Sequence, residues 1–161
     1  MEEHKIQTGL ALARIAERAK AHRDVIRILE KIARDCNIDL TSDMKDMFTN
    51  HCKEIITVQR DACDTIKNIM NNEDEYKNYA LEIAQYRYRI VMELEANCNW
   101  IIAIIKAELY SRAKDDDAKV FYLKMMGDYY RYASEYLEGD KLEKVTEGAL
   151  MYYHQANKTA K

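Results

Sequence analysis

The fourteen residues Lys119-Val120-Phe121-Tyr122-Leu123-Lys124-Met125-Met126-Gly127-Asp128-Tyr129-Tyr130-Arg131-Tyr132 read as an α-helix with two distinct faces. Val120, Leu123, Gly127, Tyr130 and, further on, Leu137 recur at helical spacing and predict an apolar seam. Lys124, Asp128, Arg131 and Glu135 step by four, three and four, which predicts a charged stripe on another face. Tyr132 follows Arg131 and lies one turn beyond Asp128. Long bases beside a phenol on a rigid rod suit an anion. A solvated helix face has the same pattern, and the segment alone leaves both readings open.

The chain around this segment predicts helices throughout. No proline and only four glycines occur in 161 residues, and strictly alternating Val/Ile/Thr runs bounded by glycine turns are missing. This length suits one domain with one core, residues 1–161. A net charge of -3 argues against nucleic acid, whose binders carry a basic excess. A local basic patch in a slightly acidic chain instead suits a small, specific anion. Cys36, Cys52, Cys63 and Cys98 form no Cys-x-x-Cys pair, and no signal peptide is read at the amino end. The expectation is therefore reduced, packing thiols and a cytoplasmic location. The longest purely apolar run, Trp100 to Ile105, is far below the about 20 residues of a membrane span, so no membrane partner is expected.

In order, a first helix is expected from Glu2 to about Lys20 and a second from His22 to Asp35, with Val25, Ile28, Leu29 and Ile32 buried. Thr41-Ser42-Asp43 suits the N-cap of a third helix reaching about Met70, on which Lys53 and Arg60, seven apart, share a face with Thr57. A fourth and longest helix is expected from Glu73 to Arg112, lined by Tyr76, Tyr79, Ile83, Tyr86, Ile90, Leu94, Ile101, Ile104 and Ile105. Lys114-Asp115-Asp116-Asp117 should cap the fifth helix, and Gly139 should end it at a C′ position. The sixth runs from Lys141 to Ala160, with the Tyr129-Tyr130 and Tyr152-Tyr153 pairs read as packing. The fold class is thus all-α, an antiparallel bundle of six helices with short links. No Gly-rich phosphate loop, Glu-x-x-His pattern or catalytic grouping is read, so neither an enzyme nor a metal or cofactor is expected.

The run Lys-Val-Phe-Tyr-Leu-Lys-Met followed by Gly-Asp-Tyr-Tyr-Arg-Tyr resembles the fifth-helix signature of the 14-3-3 family, with Met126 in place of a common Lys. The resemblance extends from about Ile15 to Ala160 and covers the first six of nine family helices. It implies an adaptor that binds phosphoserine or phosphothreonine motifs of partner proteins and regulates them without catalysis. Lys53 and Arg60 of the third helix and Arg131 and Tyr132 of the fifth match the residues that hold the phosphate, and Lys124 matches a further groove-lining base. Two guanidinium forks, an ammonium and a phenol suit a group with three acceptor oxygens. By themselves Lys53 and Arg60 also fit an exposed helix face.

The resemblance further implies dimerisation through the amino-terminal region, about 1–40, with the groove built from about 42–161. Ile15, Ala19 and Tyr86 match positions that pack across the dimer floor, and Asp24 and Arg89 match an intersubunit ion pair. A second bridge loses its base, because Ala21 stands opposite Glu93. A homodimer, or a heterodimer with a relative, is expected. Asp64 replaces a frequent groove arginine, Cys63 replaces a common tryptophan, and the sequence stops at Lys161, before the last three family helices that supply the far wall, as either a fragment or a shortened member would. These departures point to an alternative: a helical dimerisation scaffold with weakened or lost phosphopeptide binding.

Overall fold

A computed structural model describes residues 2–161. They form α1 (Glu2–Arg18), α2 (His22–Cys36), α3 (Ser42–Asn72), α4 (Ala80–Ile104), α5 (Asp116–Ser134) and α6 (Gly139–Ala160), with no strand among the described residues. Each helix packs against the next in the chain. The all-α expectation is met, and so are two of its caps. The Thr41 hydroxyl accepts from the Met44 N–H at 3.3 Å, and the Asp115 carboxylate accepts from the Ala118 N–H at 2.9 Å. Asn37 takes the left-handed conformation (φ 52°) that ends α2.

The core joins Phe48 and Ile56 of α3, Leu94 and Ile101 of α4, and Tyr122 and Leu123 of α5, each essentially inaccessible to solvent. Cys52, Cys63 and Cys98 are buried free thiols. Burial pushes the Cys98 thiol up to about 12, which keeps it protonated and inert. One polar chain runs through the bundle. Arg23 donates to the Asn97 side-chain carbonyl, whose amide donates to Gln59 Oε1 at 2.8 Å, and Trp100 lies 4.8 Å from the Arg23 guanidinium.

Four details differ from the expectations. The long fourth helix is not one α-helix: Asp74–Tyr79 winds as a 3-10 segment, Ile105–Leu109 as a π turn and Tyr110–Arg112 as another 3-10 turn. Tyr76, Tyr79 and Tyr86 do not line the core but are exposed, because periodicity places residues on one face without saying what covers that face. On α5 the buried surface is broader than the seam. Tyr122, Met125, Met126, Tyr129 and Ala133 are buried, while Val120 and Tyr130 are half-buried, since α5 packs on both α4 and α6. Gly139 is not the C′ residue of α5, which ends at Ser134; its positive φ (62°) instead turns the chain into α6.

Candidate functional site

The third and fifth helices meet through charge. Arg60 on α3 donates from Nη2 to Glu135 Oε2 at 2.8 Å, immediately beyond the end of α5. The other oxygen of the same carboxylate lies 3.8 Å from Arg131 Nη1. Both guanidiniums also approach one phenol ring, Arg60 at 4.6 Å and Arg131 at 4.8 Å from the centre of Tyr132. Each such cation–π contact contributes about 0.5–1 kcal/mol at a partly exposed site. Two cations from two helices thus share one ring and one carboxylate. Burial opposes charge on Arg60, but its hydrogen bond to Glu135 and the neighbouring Tyr136 more than offset this and raise its pKa. Among the described residues Arg60 Nε is buried without an acceptor, so one tine of the fork is unused.

A second layer orders this centre. The Tyr153 hydroxyl of α6 donates to Asp128 Oδ1 at 2.6 Å and accepts from Arg131 Nε at 3.3 Å. That bond to Tyr153, against the opposing effect of burial, raises the Arg131 pKa. Gly127 makes the arrangement possible, because a Cβ there would stand 2.7 Å from Tyr153 Cε1. On the other side Tyr136 donates to Asp64 Oδ1 at 3.0 Å. Burial and the bond to Asp64 push the Tyr136 phenol up to about 12, with Arg60 pulling the other way.

Of the residues singled out from the sequence, Arg60, Arg131 and Tyr132 are brought together. Lys53 and Lys124 are exposed and form no hydrogen bond or ion pair among the described residues. Each lies seven residues before its arginine, two turns or about 10 Å along the same helix face. The acid of the charged stripe, Glu135, bridges the arginines, which spacing within one helix does not reveal. Tyr153 and Tyr136 escaped the sequence reading because their partners lie 25 and 72 residues away. Among the described residues no cluster of three His, Cys, Asp or Glu side chains is suited to a metal ion.

At the amino-terminal end, Ile15, Ala19 and Asp24 line an open groove of about 440 Å³ together with Leu12 and Ile28. Leu12 and Ile15 are 52% and 63% exposed, an apolar face left uncovered within the chain. Tyr86 and Arg89 lie on the exposed side of α4, with the guanidinium 5.1 Å from the Tyr86 ring centre. Asp24 and Arg89 make no ion pair within the chain among the described residues.

No helix among the described residues is long and apolar enough to cross a membrane. The family model for the 14-3-3 protein matches residues 12–161. The chain is 33% identical over 158 residues to a 14-3-3-like protein of Helianthus annuus and 31% identical over 156 residues to the 14-3-3-like protein RA215 of Solanum tuberosum. Each match covers 96% of this chain and 61% of the relative, so the chain spans about three fifths of their length. The helical fold and a family match over most of its length place this chain in the 14-3-3 family.

Proposed function

We propose that this chain is a non-catalytic adaptor that binds phosphoserine or phosphothreonine segments of partner proteins in the cytoplasm. Arg60, Arg131 and Tyr132 grip the phosphate, Lys53 reaches it from two turns away on α3, and Lys124 extends the basic wall on α5. The observation that carries this reading is the meeting of Arg60 and Arg131 at one phenol and one carboxylate. A phosphate carries about -1.5 to -2 charges at neutral pH and three acceptor oxygens. Charge-assisted bonds of roughly 1.5–3 kcal/mol each then separate it from a bare hydroxyl. The convergence of these groups favours this reading over a scaffold whose groove has lost its ligand. Calorimetric titration with a phosphoserine peptide and its unphosphorylated twin tests it. The phosphorylated form alone should bind, and Lys53→Glu should erase the difference; equal affinities for the wild type would refute the reading.

Residues 1–161 serve here as one domain, with about 1–40 for dimerisation and 42–161 for the groove. Ile15, Ala19 and Tyr86 form the apolar floor of a homodimer or mixed dimer, and Asp24 and Arg89 pair across it. Exposed ion pairs contribute little, about 0–1 kcal/mol, so apolar contact decides assembly. Sedimentation at low micromolar concentration should give a dimer that Ile15→Glu dissociates. A wild-type monomer would exclude self-assembly.

A further inference from the structure

Glu135 occupies the position between the two arginines that an anionic ligand would take. One of its oxygens bonds Arg60 at 2.8 Å and the other faces Arg131 at 3.8 Å. Its own helix does not favour it there. Glu135 caps the carboxyl-terminal end of α5, where the helix dipole repels a carboxylate. The arginine pair is therefore what holds it. The hold is incomplete: the Arg131 contact is long, Arg60 Nε has no acceptor among the described residues, and the Glu135 side chain is 36% exposed.

We infer that Glu135 is a specificity-determining residue, an internal anion that a ligand must displace from between Arg60 and Arg131. This rests on the phosphate-binding reading and deepens it. Arg131 also lies 3.9 Å from Asp128 Oδ1, so the two guanidiniums face two carboxylates, and Lys53 of the proposed site supplies the one positive charge left unmatched. When a phosphate dianion enters, Glu135 turns into solvent and regains its hydration. Arg60, Arg131 and Lys53 then balance the phosphate and Asp128, and a third oxygen becomes available to the remaining donors. When a carboxylate enters, one monoanion replaces another with no gain in charge or in acceptors, while the cost of ordering the ligand is still incurred. The internal carboxylate thus sets a threshold that a dianion passes and a monoanion does not.

The test compares one peptide in three forms, with phosphoserine, glutamate or serine at the central position, against wild type, Glu135→Gln and Glu135→Ala. Wild type should prefer phosphoserine strongly and bind the glutamate form no better than serine. With the internal anion neutralised, the glutamate form should gain about tenfold, the scale of one charge-assisted bond, and the phosphoserine-to-glutamate ratio should contract accordingly. Glutamine keeps the shape of the exposed side chain, and alanine removes it, so the same contraction in both variants would exclude a packing effect. If wild type prefers phosphoserine but neither variant changes the ratio, Glu135 only positions the arginines and the inference fails alone. If wild type does not distinguish phosphoserine from serine, the phosphate-site reading fails and takes the inference with it.

Discussion

Asp39→Ala is expected to lower the free energy of unfolding by roughly 3–5 kcal/mol, the scale of breaking a buried ion pair from one side. The Asp39 side chain is only 4% exposed and accepts three hydrogen bonds from separate parts of the fold. The Tyr122 hydroxyl of α5 donates at 3.0 Å, Lys45 Nζ of α3 at 3.4 Å and the Lys114 backbone N–H, in the link before α5, at 3.3 Å. One carboxylate between α2 and α3 therefore ties the entry of α3 to the entry and body of α5. Alanine would strand the hydroxyl of the fully buried Tyr122 and leave Lys45, whose side chain is 16% exposed, without its counter-charge. Asp39→Asn keeps an acceptor for Tyr122 and loses only the charge, so it should cost less, about 1–3 kcal/mol. Guanidinium unfolding monitored by circular dichroism would measure both. A domain of ordinary stability, about 5–15 kcal/mol, should still fold as Asp39→Asn and be marginal as Asp39→Ala. A loss below 1 kcal/mol for alanine would mean that water satisfies these donors.

What a sequence makes legible here is what lies along one helix. Thr41 and Asp115 announce their caps because the acceptor and the amide it serves are three residues apart. The stripe of Lys124, Asp128, Arg131 and Glu135 is readable for the same reason. Contacts between helices are not. Arg60 and Glu135 are 75 residues apart, and nothing in the spacing of either helix points one at the other. The family resemblance joins α3 to α5 through their cations and says nothing of Glu135. The paired tyrosines show the same limit. Tyr152 is buried and Tyr153 half-buried, and only Tyr153 reaches Asp128 and Arg131; their adjacency in sequence hides this division. Gly139 departs from its expected place for a local reason. A glycine after a helical run suits a C′ residue, but four residues separate Ser134 from it, and its left-handed turn opens α6 instead.

Arg60→Glu should abolish phosphopeptide binding, with a loss of about a hundredfold or more, because it removes roughly 1.5–3 kcal/mol per charge-assisted bond and adds repulsion. The new carboxylate would face Glu135 and stand one turn from Asp64, in a site where Arg131 alone could not offset the three. Arg60→Lys separates charge from shape. Lysine keeps one positive charge but has no planar fork to share with Glu135 and the Tyr132 ring. It should lose about tenfold, the scale of one such bond. Lys53→Ala should lose less than Arg60→Ala, because Lys53 is exposed, forms no hydrogen bond or ion pair among the described residues, and must give up side-chain freedom on binding. Arg60, by contrast, is already held by α5. Titrating the four variants with one phosphoserine peptide yields the order directly. If Lys53→Ala proved as damaging as Arg60→Glu, the phosphate would be centred two turns nearer the start of α3, and the meeting of guanidiniums at Tyr132 would be a brace between helices with no ligand of its own.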